Sequence, residues 1–307
     1  LNYTNLFILG GGGILKDYGK NSRSLHNWLK ILKIAVILNK KTILLCVGVD
    51  NITYDASKKF IKDLLNQVNI ISVRDNYSKN LLKNIGVSSK IYVIPDPVIL
   101  LSSEFKKFKV NENESKKVII CVRHWYEKGF YIQNEGLNEN FINTISRFAD
   151  FIIKNYNLKV MFLPMRIEQH DDDRLIAREI LRRMKYQDNC ILINKVPTVE
   201  EFYTFLKECK FLVGMRLHSL IFAASFGVPI IGLEYMTKIK SFMESINQEA
   251  FSYSLEKLDF SDLIKSTEKI LINLEAHSKI ILEHVSKLKT KSELFFDFLT
   301  KYLNNNY

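Results

Sequence analysis

Strand-sized apolar runs alternate with amphipathic stretches of helical spacing through most of the chain, the pattern of parallel sheets covered by helices on both faces. The spacing predicts strands near residues 6–9, 42–47, 70–73 and 91–94, separated by helices near 26–38, 57–68 and 77–85. These form a short Rossmann-like domain over residues 1–108. The stretch 104–117 is rich in Lys, Glu and Asn and lacks an apolar run, so it reads as a linker. Further strands are expected near 118–122, 159–162, 190–193, 211–214 and 229–232, with helices near 141–156, 174–184, 199–208 and 219–226. They make a second doubly wound domain over 118–259. From Phe260 onward, Leu263, Ile264, Ile270, Leu271, Leu274, Ile280, Ile281, Val285 and Leu288 recur at helical spacing. Residues 260–307 are therefore expected to form a helical tail that crosses back to the first domain. The fold class is α/β with two Rossmann-like doubly wound domains.

Composition narrows this picture. The chain has 307 residues, 47% of them hydrophobic, enough for two cores of ordinary size. Its apolar runs fall short of the roughly 20 residues needed to span a bilayer. Leu1 opens almost directly onto the first strand, with no initiator Met and no cationic leader; the expectation is an N-terminally truncated first domain. Cys46, Cys121, Cys190 and Cys209 stand far apart without a metal-type pairing, which fits reduced core thiols in the cytosol. A formal charge of +11 favours attraction to phosphates, nucleic acid or an anionic membrane surface, although solvated Lys-rich helix faces give the same number.

Candidate chemistry gathers where strands end. Gly10 to Gly13 follow the first strand, where glycine lets the backbone turn sharply and approach a ligand; Gly11, Gly12 and the nearby Asp17 are candidate ligand contacts, Asp17 alternatively a cap. Arg74 lies at the carboxyl edge of its strand and Asp75 is a natural N-cap. Arg123 emerges after the first strand of the second domain, placed to grip an anion in the cleft between domains. Residues 211–235 read strand, turn, helix, glycine stop, strand. Arg216, Leu217 and His218 lie in that turn, and the start of the following helix points its positive end at the same spot. Glu234, Tyr235 and Lys238 follow the next strand at its carboxyl edge. His170, Asp171, Asp172 and Asp173 read as a helix N-terminal cap and dipole partner rather than a metal cluster. His26, His277 and His284 carry no role.

The chain resembles the polysaccharide pyruvyl transferases, especially those that modify secondary cell-wall polymers. The resemblance runs from about Asn5 to Met243. It is carried by Leu9 to Gly13 with Asp17, by Ser72-Val73-Arg74-Asp75 with Ser78, and by Asp96-Pro97. It is carried further by Gly214-Met215-Arg216-Leu217-His218-Ser219, followed by Gly227-Val228-Pro229, Tyr235 and Lys238. It implies a GT-B-like fold, phosphoenolpyruvate as donor bound by Arg123 and Arg216, and an acceptor sugar, often N-acetylmannosamine in a lipid-linked saccharide. The family's usual first strand and glycine-rich loop lie upstream of the residues present. His218 is the expected proton carrier, Leu217 a packing or backbone contact, and Lys238 an added positive charge. Gly11, Gly12, Asp17, Arg74, Glu234 and Tyr235 are the expected acceptor-side or cleft residues.

No metal or cofactor is expected beyond phosphoenolpyruvate as the donor substrate. The expected setting is the cytoplasm, with docking to an anionic membrane surface and no nucleic-acid partner; oligomeric state stays open. Two other readings fit the same residues. One is a sugar-nucleotide glycosyltransferase, with Gly10 to Gly13 and Arg216 on a diphosphate and Glu234 on a ribose. The other is a non-catalytic module binding glycans or membranes through its charge.

Overall fold

The computed structural model describes residues 4–17, 23–107, 116–125, 134–169 and 171–305. The chain divides into two compact units, Leu1–Pro97 with Lys287–Tyr307, and Val98–Ser286.

In the first unit, β1 (Leu6–Gly10), α1 (Arg23–Ile37), β2 (Lys41–Val47), α2 (Asp55–Leu65), β3 (Ile70–Val73), α3 (Asn76–Ile85) and β4 (Ile91–Val93) follow one another. The four strands lie side by side in chain order, all parallel. Strands buried on both faces need unbroken apolar runs, and Ile43, Leu44, Ile70, Ile71 and Val73 supply them. One face packs against Leu25, Leu29, Leu32, Ile61 and Leu65. The other buries Ile43, Cys46, Ile70 and Ile94 against Phe295 and Leu299 from near the chain's end. Helix α3 is bounded as its sequence dictates: the Asp75 side chain accepts from Ser78 N at 2.7 Å, and Gly86 ends it at φ 98°.

The second unit contains β5 (Lys117–Cys121), α4 (Glu135–Tyr156), β6 (Lys159–Phe162), the short strands β7 (Ile167–Glu168) and β8 (Asp171–Asp172), and α5 (Asp173–Arg183). It continues through β9 (Cys190–Leu192), α6 (Val199–Lys207), β10 (Cys209–Gly214), α7 (Leu217–Ser225), β11 (Ile230–Glu234), α8 (Thr237–Ser245), β12 (Ser252–Ser254) and α9 (Phe260–Ile272). Its sheet runs β12-β11-β10-β5-β6-β9, parallel throughout. In chain order this is the 3-2-1-4-5-6 arrangement of a doubly wound nucleotide-binding sheet. The chain builds outward from β5 to β9, then returns to β5's other side with β10.

Two details depart from the sequence pattern. The segment expected to link the domains is partly ordered onto the second unit: a 3₁₀ stretch, Pro97–Glu104, leads to Phe105, which packs on Tyr203, Phe222 and Phe226. Residues 108–115 of that linker lie outside the described residues. The tail is not one block either, since α10 (Leu274–Asn304) spans the division at Lys287.

Helix α7 carries eight buried residues from Leu217 to Ser225 and must stop abruptly before β11. Phe226 caps it and Gly227 follows at φ 75°, where an added Cβ would stand 2.7 Å from Ser278 Oγ and 2.8 Å from Leu282 Cγ. Gly227→Ala is expected to cost about 1–3 kcal/mol, from left-handed backbone strain and overpacking together. A lower urea midpoint at unchanged slope is the readout.

Candidate functional site

In an open parallel sheet, ligands bind outside the carboxyl ends of the strands where the strand order reverses. In the second unit that point lies between β5 and β10. The two strands stay paired through Gly214 and Cys121, and Met215 N donates to Cys121 O at 2.9 Å just beyond them. Arg123 follows the end of β5 and Arg216 the end of β10, each two positions on. The reversal therefore brings together two arginines that the sequence separates widely.

Arg216 is the N-cap residue of α7, and its carbonyl accepts from Ser219 N at 3.0 Å and Ser219 Oγ at 2.6 Å. Its side chain is 12% exposed. The Nε edge donates to Asp173 at 3.1 and 3.2 Å, with Nη2 also on Asp173. The terminal edge donates to Asp171, Nη1 at 3.3 Å and Nη2 at 2.7 Å. Arg123, 8% exposed, donates from Nη2 to both Asp171 oxygens at 3.2 and 3.3 Å, from Nε to the His124 carbonyl at 3.2 Å, and from Nη1 to Tyr235 Oη at 3.4 Å. Arg166 Nη1 reaches Asp171 at 3.3 Å.

The acidic run before α5 thus divides its work. Asp172 is the N-cap, accepting from Arg174 N at 2.9 Å, as its sequence position suggests. Asp171 and Asp173 instead turn to the arginines, a role beyond helix capping. Extended backbone sends alternate side chains to opposite sides, so Asp171 and Asp173 share a side that Asp172 does not. Residue 170 lies outside the described residues, and no group of side chains able to hold a metal ion occurs among those described.

Burial alone would raise the Asp171 carboxyl, but the hydrogen bond from Arg216 and the charges of Arg123, Arg216 and Arg166 outweigh it and hold the group below the usual carboxylate range. For Asp173, 2% exposed, burial is the larger effect and pushes the carboxyl up against its bond to Arg216. Burial also works against the charge of Arg216, but Asp173 and Asp171 more than offset it, so the guanidinium is held protonated more firmly than usual.

Tyr235 is the hub of the remaining contacts. Its ring lies 5.0 Å from the Arg123 guanidinium carbon and 4.8 Å from Lys238 Nζ, and meets Trp125 edge-on at 4.8 Å. The π face of Tyr235 attracts these cations. Glu234 ends β11, half-buried beside this group. His218 is the second residue of α7 and exposed, whereas Leu217 is buried. The arrangement combines guanidinium groups, the amino end of a helix and an exposed imidazole at one sheet edge, which suits binding an anion next to a proton carrier.

The first-unit candidates form a separate group at the carboxyl edge of their own sheet. Gly11 and Gly12 turn at φ 83° and 66°, and Gly48 N donates to Gly12 O at 2.9 Å. Arg74 donates to Asp75 at 3.3 Å, and its guanidinium fills the space over Gly48, where a Cβ would come within 2.3 Å of it. Asp17 is buried and accepts from Thr53 N and Tyr54 N, so its carboxylate anchors the start of α2.

Sequence reasoning passed over Asp171, Asp173, Arg166 and Trp125 as site residues. The Asp-x-Asp spacing was the available signal for the first two. Nothing local marks Trp125 beyond its place two residues after Arg123.

The polysaccharide pyruvyl transferase family model matches residues 1–236. The amylovoran biosynthesis protein AmsJ of Erwinia amylovora is 21% identical over 225 residues, covering 69% of this chain and 53% of that protein. The chain thus spans about half the length of this curated relative. Among solved structures, MnaA of S. aureus with UDP aligns at TM-score 0.60 and 14% identity, over 99% of this chain and 77% of that one. The UDP-GlcNAc 2-epimerase of Neisseria meningitidis, bound to UDP-GlcNAc, aligns at 0.58 and 13%, over 96% and 76%. HepE of Anabaena with UDP aligns at 0.57 and 9%, over 94% and 79%. These likenesses show the fold, two Rossmann-like units of the GT-B class. The family model covers residues 1–236, well over half of the length, and the chain therefore belongs to the polysaccharide pyruvyl transferase family.

Proposed function

We propose that this chain supplies the donor site of an enzyme that moves pyruvate from phosphoenolpyruvate to a sugar of a cell-envelope polysaccharide precursor, forming a ketal and releasing phosphate. The observation that carries the reading is the pairing of Arg123 and Arg216 at the reversal point of the second sheet, beside the amino end of α7. Phosphoenolpyruvate places a phosphate and a carboxylate close together, and two guanidinium forks with a helix terminus match that charge better than one cation.

In this mechanism His218 gives a proton to the methylene carbon of the enol. One sugar hydroxyl adds to the neighbouring carbon and loses its own proton. Phosphate then leaves as a second hydroxyl closes the ring, so two hydroxyl protons balance those taken up by carbon and phosphate. Arg123 and Arg216 neutralise the departing phosphate. Lys238 adds charge beside them, and the buried Leu217 seats the turn. Glu234 and Tyr235 are assigned to the acceptor side of this unit's site; in the first unit, Gly11 and Gly12 are assigned to a ligand contact at that unit's own sheet edge, with Asp17 and Arg74 as its support. The acceptor is a lipid-linked saccharide, of which an N-acetylmannosamine-containing one is the first to test.

Incubation with phosphoenolpyruvate and lipid-linked acceptors, following free phosphate and acceptor mass, tests this. Matched phosphate release and pyruvyl addition support it. Because MnaA and HepE carry UDP in their structures, the same assay with nucleotide sugars tests a glycosyltransferase; nucleoside diphosphate release without pyruvyl addition would replace the reading.

The setting proposed is the cytoplasm, at the face of the membrane where lipid-linked sugars are held. No helix among the described residues is long and apolar enough to cross a membrane, and the +11 charge favours an anionic surface. Vesicles containing about 30% anionic lipid should sediment the protein at low salt and release it as salt rises past the screening range. Equal sedimentation with neutral vesicles would remove the electrostatic basis.

A further inference from the structure

The arginine pair assigned to the donor already holds an anion of the protein's own. Arg216 turns its Nε edge to Asp173 and its terminal edge, the one suited to bidentate grip of an external carboxylate or phosphate, to Asp171. Arg123 Nη2 and Arg166 Nη1 hold the same Asp171 carboxylate at 3.2 and 3.3 Å. Three guanidinium groups around one carboxylate, at the reversal point of the sheet, reproduce what an anionic ligand would find there.

The two aspartates are anchored differently. Asp173 opens α5, and its Oδ2 also accepts from the backbone of Met165 at 2.9 Å and Arg166 at 3.1 Å. Moving it would strip partners from buried donors. Among the described residues, Asp171 stands on β8, which pairs with the two-residue β7, a ladder too short to be stable by itself. Its side chain is 16% exposed and its carboxylate is held by arginine side chains.

We infer that Asp171 is an exchangeable internal occupant of the anion site, displaced by the incoming ligand, while Asp173 is the fixed positioning residue that orients Arg216. This rests on the donor-site reading and adds an affinity threshold. The internal carboxylate weakens every incoming anion by the same factor, so a ligand carrying phosphate and carboxylate together still binds where a weaker single anion does not. A site open about one-tenth of the time binds about tenfold more weakly than its intrinsic affinity, and removal of Asp171 restores that factor.

Calorimetric titration of the full chain with inorganic phosphate and with phosphoenolpyruvate tests it. Asp171→Asn is expected to bind phosphate about tenfold more tightly than the native chain, with a gain of the same size for phosphoenolpyruvate. Asp171→Ser should move affinity the same way, guarding against an effect peculiar to the amide, and Asp173→Asn should weaken both ligands. Unchanged or weaker phosphate binding in both Asp171 variants, with native binding intact, overturns the inference and leaves the donor site standing. Failure of the native chain and all variants to bind either ligand overturns the donor-site reading and the inference with it.

Discussion

Replacing Arg216 with Met is expected to destabilise the protein by about 3–5 kcal/mol, because it strands Asp173 and Asp171 inside the fold without their main counter-charge. Both carboxylates bond Arg216 directly, and Asp173 is nearly inaccessible to water. Urea unfolding should show a lower midpoint at unchanged slope. The loss comes from unpaired buried charge, so removing the more deeply buried carboxylate as well, in Arg216→Met with Asp173→Asn, should return much of the stability, because Asp171 keeps Arg123 and Arg166. Replacing a buried ion pair by neutral groups is often close to neutral. A cost below about 1 kcal/mol for the single substitution would mean that water already solvates the cluster, as at an exposed pair. Arg216→Lys separates charge from geometry: it keeps a cation but loses the fork that serves two carboxylates along two edges, and it should abolish phosphoenolpyruvate binding even where the protein still folds.

His218→Ala should have the opposite profile. The side chain is exposed at the second position of α7, and alanine is a good helix former, so the unfolding midpoint should stay in place. Phosphate binding by the arginines should survive. Pyruvyl transfer should fall by about 10²- to 10⁴-fold, the usual contribution of a positioned general acid. Retained turnover with native binding would assign the proton to another group. Measured together, the two substitutions distinguish a residue that builds the site from one that acts in it.

Much of the fold is legible without coordinates. Runs such as Val118 to Val122 and Phe211 to Gly214 are apolar at every position because their strands are covered on both faces, and such runs are easily located by eye. Asp75 followed by Ser78, and Gly86 after Ile85, mark the limits of α3 by local hydrogen bonding alone. The short strand β12 escaped because Ser252, Tyr253 and Ser254 are half-buried at the edge of the sheet; an edge strand bears little apolar pattern. The start of α4 at Glu135, set by Asn134 accepting from Leu137 N at 3.0 Å, likewise precedes the apolar positions from which that helix is recognised.

The amino-acid sequence by itself determined where strands end and which side chains stand just beyond those ends, since both follow from short-range apolar runs, glycines and caps. Arg123, Arg216 and His218 were found that way. Only the tertiary structure decided the order of the strands, and with it that β5 and β10 are neighbours across the reversal point. It also decided that Arg216 meets Asp171 and Asp173 across separations of 45 and 43 residues. Local pattern assigns an acidic run to the nearest helix end because that is the partner it can see. The choice between a helix terminus and a distant guanidinium is made by burial, which strips water from all of these groups and leaves each charge to be satisfied by whatever the packed sheet brings within reach.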